Sequence, residues 1–271
     1  MAPESDPVMD PKSVELLEGT LRKTMLSTSG AELDAALADL GWAEMLSDLP
    51  EIAIPLVFRL LGETGSHASI LNDIVVIQTV GRELGQIPEL PFAGGGWVVW
   101  DYEQPEHPAL GGLPLRRVDE GDPVRLVDAR RAVGWWLVGA SRAMLALARR
   151  HALDRVQFGR PIANFQAIRH RLAETLVAIE AAEATLDLPG QDNPDLTALL
   201  GKAAAGRAAL ITARHCQQVL GGIGFTEEHA LHHHVKRVLV LDQLLGNSRE
   251  LTRRAGAGLR ARGSAPRLAH L

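Results

Sequence analysis

The chain is short of cysteine, aromatics, basic charge and long apolar runs, and each shortage removes a class of protein. The single cysteine, Cys216, cannot form an internal disulfide, which excludes a stapled secreted scaffold. Aromatics make up 4% of the residues against a hydrophobic content of 46%, so the core must be mostly Leu, Ala and Val. That suits close helix packing better than strand pairing. A net charge of −5 and a pI near 6.1 give no basic footprint for a phosphate backbone, which argues against nucleic acid as a partner. The longest apolar runs, such as Ala132 to Ala140, contain Gly, are flanked by arginines and fall short of a bilayer span, so no membrane segment is expected. The first residues lack the basic-then-apolar order of a secretory signal, and a cytoplasmic location is expected.

What is present is helical periodicity. The first ten residues are rich in Pro, Ser and Asp and read as a loose arm. Apolar spacing predicts helices over Ser13 to Met25, Glu32 to Leu40 (ended by Gly41-Trp42), Pro55 to Thr64 and Ala68 to Gln86, a block spanning residues 12–88. Residues 89–122 carry many Pro and Gly around Gly94-Gly95-Gly96 and a β-type segment Trp97 to Trp100, and read as a linker or small sheet. Residues 123–260 predict an antiparallel bundle of long helices: Val124 to His151, Phe165 to Asp187, Asp195 to Leu220, Glu227 to Leu244 and Ser248 to Leu259. Pro189 to Pro194 reads as a polar turn and the tail from Arg260 as frayed. The expected fold class is mainly α.

Two stretches of the bundle stand out. The first runs Asp154-Arg155-Val156-Gln157-Phe158-Gly159-Arg160-Pro161-Ile162-Ala163-Asn164-Phe165-Gln166, where Pro161 stops the preceding helix from continuing. An exposed Arg155 there suits a pyrophosphate, held through two parallel charge-assisted hydrogen bonds. The second is Gln218-Val219-Leu220-Gly221-Gly222-Ile223-Gly224-Phe225, which couples a side-chain amide to a backbone that a ligand can approach closely. Taken singly, these stretches also suit a solvated arginine beside a turn and an ordinary glycine helix cap.

In this order and at this interval the two stretches resemble the flavin-binding signatures of the acyl-CoA dehydrogenase family. The resemblance covers roughly Val124 to Gly256, with a less specific likeness of the helices around Leu40-Gly41-Trp42 to that family's N-terminal helical domain. It implies FAD as cofactor, with Arg155, Phe158, Gln166, Gln218, Gly221 and Gly222 on the cofactor side and Arg130 on the substrate side. In the family such residues reach a flavin held mainly by a neighbouring subunit, so an oligomer, of tetramer type, is implied too.

Two departures follow from the same comparison. The family places its catalytic glutamate before a glycine in the last helix-helix loop, where this chain has Leu245-Gly246. Some members place it on the long helix just before the residue matching Arg130, and here that position is Ala129. Abstraction of an α-proton needs an acceptor within hydrogen-bond reach, and neither Leu nor Ala is one. Asp128 is the nearby acid, but one step along a helix turns a side chain by about 100°. The second departure is residues 85–122, too short for the family's β-barrel domain, since each strand and turn uses about eight to twelve residues. The expectation is a subunit without its own base that completes the FAD site of a hetero-oligomer with an acyl-CoA dehydrogenase partner. The complex would desaturate an acyl-CoA thioester, and heteromeric members are associated with bulky substrates such as steroid side chains. The alternatives are a self-sufficient homo-oligomer with an unorthodox base, and a flavin-free helical scaffold.

Other clusters read as structural. His232, His233 and His234 are consecutive and so point apart on a helix, which makes a poor metal site; no metal is expected. Cys216 reads as a buried thiol and Trp135-Trp136 as packing. Arg253, Arg254, Arg260 and Arg262 form a positive end suited to a CoA phosphate or to solvation.

Overall fold

A computed structural model describes residues 10–79, 86–103, 110–188 and 193–265 of the chain. The loose arm, the end of the Ala68 to Gln86 segment and most of the Pro189 to Pro194 turn lie outside those residues. Five helices open the fold: α1 (Pro11–Ser27), α2 (Ala31–Asp39), α3 (Trp42–Asp48), α4 (Pro50–Thr64) and α5 (Leu71–Ile77). Three strands follow, β1 (Leu90–Phe92), β2 (Gly96–Trp100) and β3 (Leu115–Val118), paired antiparallel in that order. The bundle comprises α6 (Val127–Asp154), α7 (Gln166–Leu186), α8 (Pro194–Leu220) and α9 (Leu231–Gln243), with α10 (Ser248–Arg262) packed on α8. A two-residue hairpin of β4 (Val156–Gln157) and β5 (Arg160–Pro161) lies between α6 and α7.

The fold is mainly α, and three boundaries differ from sequence expectation. Gly41, at φ +80°, ends α2 but also caps the start of α3, which begins at the buried Trp42; an αL glycine serves both turns. α4 starts at Pro50 and runs through Pro55, because burial of Ile54, Leu56, Val57 and Phe58 outweighs the lost backbone donor. α5 stops at Ile77, well short of Gln86. The segment offered as a linker or small sheet is a sheet.

Helix α6 is the central beam, buried along Ala132 to Ser141 and packed against α4, α7, α8 and α9. Its crossing with α4 is a backbone contact. A Cβ on Gly139 would lie 1.9 Å from the Arg59 carbonyl oxygen, and one on Gly62 would lie 2.3 Å from the Trp136 carbonyl oxygen. Around the crossing Phe58 meets Trp136 edge-on at 5.9 Å and Trp136 meets Trp100 at 6.3 Å, so one aromatic chain joins helices to sheet. Both Trp135 and Trp136 are core residues, as their spacing suggests, and Cys216 is fully buried with its thiol pushed up to about 12 by desolvation.

Helix α8 with the turn after it, Pro194–Phe225, is long and apolar enough to cross a membrane by length and composition, which the apolar-run reading overlooked. Within the fold 67% of its most apolar window is buried, so these side chains are satisfied by bundle packing.

Arg237 of α9 ties the halves together, donating to the Gly65, Ser66, Gly111 and Gly112 carbonyls. Among the described residues no group of three His, Cys, Asp or Glu side chains is placed to hold a metal, the histidines of α9 included.

Gly139→Ala should force α4 and α6 apart and lower stability by about 3 kcal/mol or more. Gly19→Ala, where a Cβ meets nothing within 4 Å, should stabilise α1 by about 0.5–1 kcal/mol. Paired urea melts of the two variants check the contrast.

Candidate functional site

The bundle topology builds one cluster at one end. α6 and α8 run in the same direction with α7 returning between them, so the α6–α7 connection and the turn after α8 share an end. His151, on the last turn of α6, is held below its ordinary value by burial and then by His229, which lies beyond the α8 turn. Arg155, Phe158 and Gln166 on one connection are thus placed with Gln218, Gly221 and Gly222 on the other.

The first connection is a strained display loop. Phe158 and Gly159 occupy the two turn positions of the hairpin at φ +52° and +74°, the signature of a type I′ turn. Asn or Gly normally fills the first position; a phenylalanine there is strained by roughly 1–3 kcal/mol. Its ring is 92% exposed, touching Phe165 edge-on at 6.1 Å. The Arg160 guanidinium covers the Phe165 ring at 4.5 Å. Arg155 and Gln166 are exposed, and Arg155 has no ion pair among the described residues.

The second connection separates glycines of two kinds. Gly224 is required internally, since a Cβ there would lie 2.8 Å from the Gln217 carbonyl oxygen. A Cβ on Gly222 would meet nothing within 4 Å, and nothing in this chain's packing explains that glycine. Gly221 takes φ +66° to cap α8 and is likewise open. Gln218 is exposed beside them, with Ile223 and Phe225 at 40% and 68%. The set offers a cation, an amide, an aromatic face and bare backbone, all turned outward, which fits the phosphate and adenine parts of a dinucleotide.

The loop that should carry a base lies at the other end of α6. Arg130 and Arg155 are 25 residues apart on or just beyond that helix, or about 37 Å at 1.5 Å per residue. Leu245 is 1% exposed at φ +61°, its N–H donating to the Pro91 carbonyl at 2.7 Å and its carbonyl accepting from Arg130 Nε at 3.3 Å. The fully buried Lys202 donates to the Asp242 and Gly246 carbonyls at 2.9 and 2.6 Å. Desolvation pushes Lys202 down to about 7, against the pull of Asp242. Ala129 is fully buried. Beside this loop is a cavity of about 540 Å³ lined by Leu245, Arg130, Phe92 and Trp97.

Of the acids near that end, Asp195 at the start of α8 lines the Leu245 cavity with no hydrogen bond among the described residues, and the others are turned away or engaged. Asp128 faces a different cavity of about 510 Å³ with Glu51, Arg131 and Asp187, and accepts from the Gln78 amide. Burial and then Glu51 raise its pKa. Asp242 is buried and accepts the Ser248 N–H at 3.1 Å. Glu250 lines the Leu245 cavity, but its two oxygens accept from the Gly94 and Asn247 N–H groups. Sequence reasoning missed Lys202 and Glu250. The Asn247-x-x-Glu250 capping box was a readable signal for the second; the first, a lone lysine in an Ala-rich helix, carried none.

A helical bundle that exposes these two loops at one end and closes with a Leu-Gly turn at the other defines an acyl-CoA dehydrogenase-like architecture. The family model for the acyl-CoA dehydrogenase C-terminal domain matches residues 124–259, half of the chain, and the chain belongs to that family. The acyl-CoA dehydrogenase IpdE2 of Mycobacterium tuberculosis is 39% identical over 117 residues, 43% of this chain and 37% of that protein. FadE34 of the same organism is 33% identical over 216 residues, 68% of this chain and 30% of that protein. The matched region thus spans well under half the length of these relatives. Among solved structures, the ChsE4–ChsE5 complex of M. tuberculosis aligns at TM-score 0.64 and 16% identity, over 96% of this chain and 99% of that one. A Mycobacterium smegmatis glutaryl-CoA dehydrogenase in complex with FADH2 gives 0.68 and 15%, over 99% and 98%. The Tcur3481–Tcur3483 steroid acyl-CoA dehydrogenase variant gives 0.67 and 18%, over 93% and 98%. At these identities the structures establish the shared fold.

The lysine under the loop makes a pH prediction. With a folded value of about 7 and an unfolded value near 10.4, the unfolded chain binds more protons between those limits, so Lys202 makes stability rise with pH from about 7 to 10. Lys202→Met should remove that rise while destabilising the chain by roughly 1–3 kcal/mol through two orphaned carbonyls, as read by denaturant melts at pH 7 and 9.

Proposed function

We propose that this chain is a cofactor-completing subunit, itself without a catalytic base, of a hetero-oligomeric FAD-dependent acyl-CoA dehydrogenase. The observation that carries the reading is the split between the two ends of α6. One end presents Arg155, Phe158, Gln166, Gln218, Gly221 and Gly222 outward; Gly221 also caps α8 and Phe158 also touches Phe165, whereas the Arg155 side chain makes no ion pair among the described residues and the bare Gly222 meets no packing need. At the other end the base position is a buried leucine whose N–H and carbonyl are both bonded. FAD would supply the hydride acceptor for α,β-desaturation of an acyl-CoA thioester. Arg155 would clamp its pyrophosphate, Gln218 would bond a phosphate or the adenine edge, and Phe158 would cover an apolar face. The acyl-CoA dehydrogenase partner would hold the flavin ring and provide the carboxylate that takes the α-proton.

Two of the solved proteins that share the fold are two-component assemblies, which supports the heteromeric part of the reading. One is a steroid acyl-CoA dehydrogenase, and bulky acyl-CoA thioesters are the substrate class we assign to the complex. A cytoplasmic location goes with that substrate. A self-sufficient homo-oligomer would have to use Asp195 of the cavity wall as its base, since Asp128 faces another cavity and the oxygens of Glu250 are bound.

Absorption spectra and masses of the chain purified alone and co-expressed with its partner test the proposal. Stoichiometric flavin should appear in the mixed oligomer only, and Arg155→Ala should lower its retention by about tenfold or more. Stoichiometric FAD on the lone chain would overturn it. Phe158→Asn should relieve the turn and raise the stability of the lone chain by about 1 kcal/mol while weakening flavin retention in the mixed oligomer.

A further inference from the structure

The Leu245 cavity has a feature that loss of a base does not explain. Arg130 is 5% exposed and lines this cavity, yet among the described residues its only side-chain hydrogen bond is the one from Nε to the Leu245 carbonyl, and it has no ion pair there. Its two terminal nitrogens have no hydrogen-bond acceptor among the described residues. A buried guanidinium is costly unless it is paired, and the counter-charge acting on Arg130 is Asp195 of the cavity wall, which does not reach it as an ion pair. Arg125, Arg253 and Arg254 line the same cavity, so four guanidinium groups surround a space that contains two carboxylates, Asp195 and Glu250. Glu250 is already engaged by two backbone N–H groups. Burial, followed by Arg254, pushes Arg130 down to about 10 against the pull of Asp195, so it remains cationic at neutral pH.

We propose that this cavity binds a free amphipathic carboxylate, with its carboxylate on the terminal nitrogens of Arg130 and its apolar body against Leu245, Phe92 and Trp97. The planar fork of arginine matches a carboxylate bidentately. The cavity, about 540 Å³, is of the size that encloses a small organic ligand. Asp195 and Glu250 in its wall repel the second negative charge of a phosphate, which selects a monoanion. The leucine has a positive use here: it removes the side chain that would compete for Arg130 and lends the pocket an apolar wall. The ligand is an acid and not a thioester, so the pocket is a second binding site of the subunit and does not depend on whether the other end of α6 holds flavin.

Titration calorimetry of the full chain, alone and in its complex, with octanoate, octanamide and inorganic phosphate tests the assignment. Octanoate should bind at least about tenfold more tightly than the neutral octanamide, and phosphate should not displace it. Arg130→Gln should erase the preference for octanoate. Leu245→Glu should erase it too, by placing a tethered carboxylate in the pocket. Should Arg130→Gln fail to fold, the surface variant Arg254→Gln should still weaken octanoate by about threefold through the lost field. Equal binding of acid and amide by the unmodified chain, competition by phosphate, or an unchanged preference in folded Arg130→Gln would each overturn the proposal.

Discussion

The backbone contact between α4 and α6 sets the position of everything else. Because Gly139 sits against the Arg59 carbonyl and Gly62 against that of Trp136, the two helices approach more closely than any side chain would permit. That approach fixes how α6 lies on the N-terminal helices, and α6 carries at its two ends the features on which the proposed function rests. Arg130 near its start borders the Leu245 loop, and Arg155 just beyond its end opens the exposed hairpin. The aromatic chain from Phe58 through Trp136 to Trp100 then locks the small sheet onto the same crossing, which places Pro91 to receive the Leu245 N–H.

The Leu245 loop is a structural joint. Its backbone is held from three sides: Pro91 of the sheet, Arg130 of α6 and Lys202 of α8. A left-handed leucine is an unfavourable conformation, tolerated because these bonds over-determine it. The resemblance locates this turn in the chain, and the three sets of bonds hold it in place with a leucine at its centre.

Most of the helices were legible because apolar periodicity and glycine stops are local signals. The long bundle helices and the outward turns at Arg155 and Gly221 belong to that class. What was not legible was set by tertiary contacts. Pro55 stays inside α4 because its neighbours are buried, and α3 arises because Trp42 packs edge-on with Phe58 at 6.3 Å. The separation of Asp128 from Arg130 into different cavities was foreshadowed by helix geometry, but the facing residues Gln78, Glu51 and Glu250 come from distant parts of the chain. Lys202 gave no signal, since a buried lysine looks like any other lysine until its carbonyl partners are placed.

The exposed end of the bundle has a consequence for a lone copy of the chain. Phe158, Phe225, Val156 and Leu153 all lie more than half exposed at that end. A freshly made copy carries these side chains into water, and apolar surface of this kind drives self-association and recognition by quality-control machinery. In the oligomer proposed above a partner would cover that end, which would couple the survival of each copy to the supply of its partner without a dedicated regulator.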